Sequence, residues 1–184
     1  MATALQNRKL TIEQFNLEYG DRKPYYEYWH CEAIPKSRPT LVHALLQKIM
    51  MILLEEIGYA SAAEVRLKLD PEVELLPDVI ATSTPVGLPY PTKAFDVAVE
   101  ILSPEDPFQR ITKKCRLYQK WGIKHILVID GEERIVWRLD PDSGDLREVS
   151  EIVFDRERAI AVPTIWNELD RRLSQWSETR PNGG

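Results

Sequence analysis

"FDVAVEILSPED", residues 95–106, is the stretch on which the fold turns. Phe95, Val97, Val99 and Ile101 alternate with Asp96, Ala98, Glu100 and Leu102, the period of two that marks a β-strand. Glu100 interrupts an otherwise apolar run shortly before a Ser103-Pro104 stop. A carboxylate between Val99 and Ile101 is poorly solvated, and desolvating it without a partner is costly. A cation, a hydrogen bond or a raised pKa is therefore expected at Glu100.

Working outward, "VELLPDVIATS" (73–83) reads as a strand interrupted by Pro77, and "AAEVRLKLD" (62–70) alternates with Val65, Leu67 and Leu69 on one face. Residues 84–92, "TPVGLPYPT", form a loop. Downstream, a helix is predicted from about Pro107 to Trp121, closed by Gly122, followed by strands in "KHILVID" and "RIVWRLD" around Gly131. Residues 145–162 add short strands, and Pro163 opens a final helix. At the other end, Thr11 and Gln14 make a capping box for a helix over 11–19. "KPYYEYWHCEAIPKS" (23–37) is an aromatic hairpin turning near His30. A long helix follows from Pro39-Thr40 to about Ile57, with an apolar arc containing Leu41, Leu45, Ile49 and Ile52. The order predicts an α/β (α+β) fold with a mixed β-sheet flanked by helices. Residues 1–176 are expected to form a single domain, with 177–184 a flexible tail.

The chain has 184 residues, 43% hydrophobic and 29% charged, with a net charge of −5. That charge argues against a protein that coats DNA generically. The six basic residues between Pro107 and Ile129, with no acidic one among them, still give one basic face. No run is long and apolar enough to span a membrane, and "MATALQNRKLTIEQF" lacks an apolar signal core. Cys31 and Cys115 make no CxxC motif, so a reducing, cytoplasmic setting is expected.

The chemistry centres on Asp78 and Glu100, carboxylates on strands that can be antiparallel neighbours. Such a pair suits Mg²⁺, which takes one or two protein carboxylates and leaves its other positions for water and phosphate. Two ordinary strand carboxylates are the competing reading. Asp96 lies four residues from Glu100, about 13 Å along a strand, too far to share one ion. It is expected to close a structural hydrogen bond. On the helix after the strand, Phe108, Ile111, Cys115 and Tyr118 form an apolar stripe. Lys114 borders it and can reach the sheet, whereas Lys113, Arg116 and Lys120 project from the other side. His43, on the border of the long helix's apolar arc, and Tyr118 are accessory candidates. Arg110, Lys113 and Lys120 are candidate nucleic-acid contacts, with Lys36 and Arg38 secondary. No zinc-site spacing and no GxSxG nucleophile motif is present.

The stretches "YYEYWHCEAIPKSRPTLVHALLQ", "LLPDV", "FDVAVEILSPED" and "KCRLYQKWGIKHILVID" together resemble the Uma-two-type restriction endonucleases. This bacterial family belongs to the PD-(D/E)XK nuclease superfamily. The shared pattern is Pro-Asp, then Glu-x-x-Ser-Pro, then Lys-x-x-x-Tyr-x-x-x-Gly, with the likeness running from about Thr11 to Asp130 and more loosely to the C-terminal helix. The resemblance implies a restriction endonuclease-like core, Asp78 and Glu100 as Mg²⁺ ligands (Mn²⁺ substituting) and Lys114 as the motif lysine. The superfamily's usual lysine position, two after the glutamate, is Leu102 here, so the lysine comes from the following helix. Cys31 stands where a turn glycine is common, and His125-Ile126 where Glu-Tyr is common. The implied activity is hydrolysis of DNA phosphodiester bonds, with a homodimer expected for cutting both strands. A catalytically silent nucleic-acid-binding or protein-interaction module is the alternative, and a hydrolase of small phosphorylated molecules a third reading.

Overall fold

The structure is a computed structural model that describes residues 9–177 apart from 38, 88–90, 92 and 105, and not the side chains of 69, 70 and 177. In chain order it runs α1 (Ile12–Tyr19), β1 (Tyr26–Trp29), β2 (Glu32–Pro35), α2 (Leu41–Glu56), β3 (Ala60–Ala63), β4 (Leu67–Asp70), β5 (Val73–Leu75), β6 (Val79–Thr82) and β7 (Val97–Ile101). It continues with α3 (Phe108–Lys120), β8 (His125–Asp130), β9 (Ile135–Leu139), β10 (Leu146–Glu148), β11 (Glu151–Val153), β12 (Ala159–Ala161) and α4 (Val162–Ser177). The expected tail begins at the last residue of α4, and 178–184 lie outside the described residues.

The main sheet has six strands in the order β10-β9-β8-β7-β6-β3. Among the described residues only its β7–β8 pair is parallel, joined by the α3 crossover, so the sheet is mixed. A second, antiparallel sheet has the order β2-β1-β5-β4, and β11 pairs with β12. The strand read first from the sequence, β7, is central and buried along its whole length. Val97, Val99 and Ile101 pack with Leu46, Ile49 and Leu127 in the core on the α2–α4 side. Ala98 joins a second core, with Ile111, Cys115 and Tyr118 of α3 and Leu67, Val73 and Leu75 of the smaller sheet. Both faces of β7 are covered, so Glu100 has no solvated side to occupy.

Two expectations about strands need correcting. "AAEVRLKLD" is not one strand: it leaves the main sheet at Ala63 and enters the smaller sheet at Leu67. "VELLPDVIATS" makes the same crossing in reverse, from β5 to β6. The two crossings run side by side, since β3 pairs with β6, β4 with β5, and the Glu64 N–H donates to the Asp78 carbonyl at 3.3 Å. The result is one antiparallel ribbon bent between two sheets. On one arm Glu64 takes a left-handed φ of 52°; on the other Pro77, which lacks an N–H, ends the ladder. Asp78 consequently sits in the bend rather than on a strand. Local bends of this kind re-aim side chains.

The helices follow their sequence signals more closely. The Thr11–Gln14 capping box is present on α1, and the Thr40 hydroxyl caps α2 by accepting from the His43 N–H. The buried face of α2 is, however, rotated from the expected arc. Leu41 is 44% exposed, while His43 lies on the buried face with Leu46, Met50 and Leu54. Hydrophobicity alone does not set this face, because a polar partner, Asp78, draws His43 inward.

Candidate active site

The ribbon bend, β7, α3 and the hairpin β1–β2 converge on a cavity of about 40 Å³. Glu100 leaves β7 on the Ala98 side and so meets α3. Its Oε2 accepts from Lys114 Nζ at 2.8 Å, and its Oε1 from the Tyr118 hydroxyl at 2.6 Å. The helical-wheel expectation that Lys114 reaches the sheet matches this placement, and Lys113 and Lys120 are exposed as expected. Lys114 is itself only 4% exposed. Its Nζ also lies 2.6 Å from Glu27 Oε1 and donates to the Leu76 carbonyl at 3.3 Å. These three acceptors match the three N–H groups of an ammonium.

Asp78 is fixed independently. Its Oδ2 accepts from the Ile101 N–H at 2.8 Å, tying the bend to β7. Its Oδ1 accepts from Lys36 Nζ at 2.6 Å and lies 3.4 Å from His43 Nε2. Gln47 Nε2 holds the Asp78 carbonyl at 2.8 Å. The other ring nitrogen of His43, Nδ1, is 3.4 Å from the Ser103 hydroxyl. At the mouth, Ser37 donates to Asp106, whose other carboxylate oxygen accepts from the Ser103 N–H at 3.0 Å.

The electrostatics follow from burial set against these partners. Burial pushes the Asp78 carboxyl up, but Lys36, the His43 contact and Lys114 outweigh it and hold its pKa well below the usual carboxylate range. At Glu100 burial prevails over the pull of Lys114, with the charges of Asp78 and Glu27 adding to it, and the pKa rises to about 7. Burial pulls the Lys114 ammonium down, yet Glu100 and Glu27 more than compensate and keep it charged. Burial and Glu100 push the Tyr118 hydroxyl well up, so it remains a donor. Burial also raises the Cys115 thiol to about 12, which leaves no thiolate for nucleophilic attack.

Asp78, Glu100, Lys114, His43 and Tyr118 are thus brought together, and Asp96 is kept apart, accepting from the Ser83 N–H and hydroxyl. Among the candidate nucleic-acid contacts, Lys36 and Arg110 line the cavity, while Lys113 and Lys120 face outward from α3. Arg38 lies outside the described residues. Glu27 is the residue that sequence reasoning missed. Its Oε1 accepts from the Leu76 N–H at 2.8 Å and its Oε2 from Trp29 Nε1 at 3.1 Å. A glutamate between Tyr26 and Tyr28 carries the same signal as Glu100, a carboxylate in an apolar strand. Among the described residues, no group of three or more His, Cys, Asp or Glu side chains is set to hold a metal ion. No helix among them is long and apolar enough to cross a membrane.

Buried carboxylates and a lysine thus meet beside a central mixed sheet flanked by helices. The sequence profile of the Uma2 family, described as "Putative restriction endonuclease", matches residues 12–174, and the chain belongs to that family. The fold is similar to the crystal structure of a "putative nuclease belonging to DUF820" from Anabaena variabilis ATCC 29413, with a TM-score of 0.75 and 19% identity. That alignment covers 87% of this chain and 99% of the other. A weaker likeness, with a TM-score of 0.39 and 17% identity, covers 76% of this chain and 12% of a chain in a DrdV–DNA complex. Comparison with curated proteins gives no significant match.

Proposed function

We propose that the protein is a divalent-metal-dependent nuclease that hydrolyses DNA phosphodiester bonds. The observation that carries this reading is the convergence of Asp78, Glu100 and Lys114, from a bend, a strand and a helix, on one cavity. The donor set fits a hard cation: two buried carboxylates, with the Leu76 carbonyl beside both lysines. Asp78 and Glu100 would hold Mg²⁺ or Mn²⁺, which would activate water and offset charge building on the phosphodiester. Lys114, held charged by Glu27 and Glu100, acts as a fixed positive charge that offsets negative charge at the reacting phosphate rather than as a base. Tyr118 fixes the orientation of Glu100, and the Ile101 N–H fixes that of Asp78.

The cavity size bears on substrate class. About 40 Å³ admits an ion with a little water, well below the roughly 300–1,000 Å³ of small-molecule pockets. A substrate whose phosphate is presented at the mouth, as in a polynucleotide, fits this shape better than an engulfed small molecule. One observation favours the catalytically silent reading: all four carboxylate oxygens of Asp78 and Glu100 already accept from N–H or O–H donors.

DNA digestion with Mg²⁺ or Mn²⁺ separates the readings. Wild type is expected to cleave, with Asp78→Ala and Glu100→Gln reduced at least 100-fold while circular dichroism shows them folded. Cleavage retained in either variant overturns the site assignment, and no cleavage by wild type under any metal favours the silent module. Cutting both strands of a duplex also calls for a homodimer, which light scattering on the intact chain would report.

A further inference from the structure

Besides Asp78 and Glu100, the carboxyls of Glu27 and Asp106 line the cavity, and the four meet three cations, Lys36, Lys114 and Arg110. At full ionisation the cluster is one positive charge short of neutral, before any metal is added. The lysines flank one oxygen: Lys36 Nζ donates to the Leu76 carbonyl at 3.0 Å and Lys114 Nζ to the same atom at 3.3 Å. A divalent cation placed on Asp78 and Glu100 would turn the deficit of positive charge into an excess. It would also bring a fourth cation into a buried site, where screening is weak. Something must leave, or an anion must arrive.

The two lysines are not equally free to leave. Lys114 is on the packed face of α3, its Nζ set among Glu27, Glu100 and the Leu76 carbonyl, and is 4% exposed. Lys36 follows the last residue of β2, its side chain is 15% exposed, and it contacts Asp78 from the mouth. Its neighbour Ser37 donates to Asp106, which also lines the cavity. Lys36 is therefore a cation at the entrance, sitting on an oxygen of a proposed metal ligand.

We propose that Lys36 is a resident counter-cation that holds Asp78 in the metal-free protein and moves to the nucleic-acid phosphate when metal binds. The inference rests on the nuclease reading above and adds a consequence to it. Metal and polyanion bind cooperatively: metal alone must compete with Lys36, whereas a phosphate both draws Lys36 off Asp78 and supplies the missing negative charge. Coupling of this kind is reciprocal, so duplex must tighten metal by the same factor by which metal tightens duplex.

The test is Mn²⁺ binding by calorimetry, without and with a 20-base-pair DNA duplex verified intact afterwards, on the full chain. Wild type is expected to bind Mn²⁺ at least tenfold more tightly with duplex present. Lys36→Met should bind Mn²⁺ at least tenfold more tightly than wild type without duplex, and gain less from adding it. Lys36→Arg, which keeps the charge, should retain the wild-type coupling. Duplex affinity read by fluorescence anisotropy with and without Mn²⁺ gives the reciprocal factor in wild type, and it needs no variant to fold. If Lys36→Met and wild type bind Mn²⁺ alike, and Glu100→Gln abolishes that binding, the metal site stands and the role of Lys36 falls. Equal Mn²⁺ affinity of wild type with and without duplex likewise overturns it. No Mn²⁺ binding by any of them, with or without duplex, removes the metal reading and this inference with it.

Discussion

Glu100 and Asp78 are buried alike, and their surroundings push them in opposite directions. Glu100 is raised to about 7, so the folded protein keeps that proton to higher pH than the unfolded chain does. Its stabilising contribution is complete below the ordinary glutamate value of 4.5 and is lost as pH rises through about 7. Asp78 runs the other way: its lowered pKa contributes stability above the ordinary value of 3.8, lost as pH falls through the lower folded value. The two windows do not overlap, so Glu100 can be read by itself between pH 4.5 and 8. The stability of wild type relative to Glu100→Gln should fall by on the order of 3 kcal/mol across that interval. Urea denaturation in chelator-treated buffer measures it, and a flat difference would mean that Glu100 titrates as an ordinary surface carboxyl. At this scale the sequence was informative wherever one strand or one helix decided the outcome. A glutamate in an apolar strand announces a buried charge, and the wheel of α3 distinguishes Lys114 from Lys113. Glu27 carried the same signal and was passed over, while its pairing with Lys114 and that of Lys36 with Asp78 join distant stretches of chain, which no local period encodes.

The elements that carry these residues are ordinary, and the bend between them is not. β3–β4 and β5–β6 form one ribbon whose two arms change sheet at the same level. Alternation continues through "AAEVRLKLD" because both halves are strands, and nothing in the apolar pattern marks the break. The break is backbone chemistry: Glu64 at φ 52° is a side-chain-bearing residue in the left-handed region, where glycine is favoured. Glu64→Gly relieves a conformational cost of about 1–2 kcal/mol, partly offset by the greater freedom of glycine in the unfolded chain. Stability should rise by about 0.5–1 kcal/mol. The exposed side chain removes no core contact, and the bond from the Glu64 N–H to the Asp78 carbonyl is retained. Since a chain of this size gains about 2–4 °C in Tm per kcal/mol, a thermal scan resolves the change. A lowered Tm would mean that the Glu64 side chain, not the bend, is what holds Asp78 in place.

For the molecule as a whole, charge and architecture point to one approach route. The fold class and mixed sheet were legible from element order, but the division into two sheets was not, and the cavity lies where they diverge. A net charge of −5 makes most of the surface a poor partner for a polyanion. The basic residues of α3 are not equivalent in this respect. Arg110 is half-buried and lines the cavity with Lys36, while Lys113 and Lys120 are exposed on the outer side of the helix. A phosphate bound at the mouth should therefore be held through Arg110. Removing one phosphate-binding cation lowers the slope of log K against log salt by about 0.9 on duplex DNA. Arg110→Ala is expected to weaken duplex binding and reduce that slope by about one. The double variant Lys113→Ala/Lys120→Ala should change both far less, since neither side chain faces the cavity. Anisotropy titrations at several salt concentrations decide between them. The reverse ranking would put the nucleic acid along the outer face of α3, away from Asp78 and Glu100, and would favour a binding module over a nuclease.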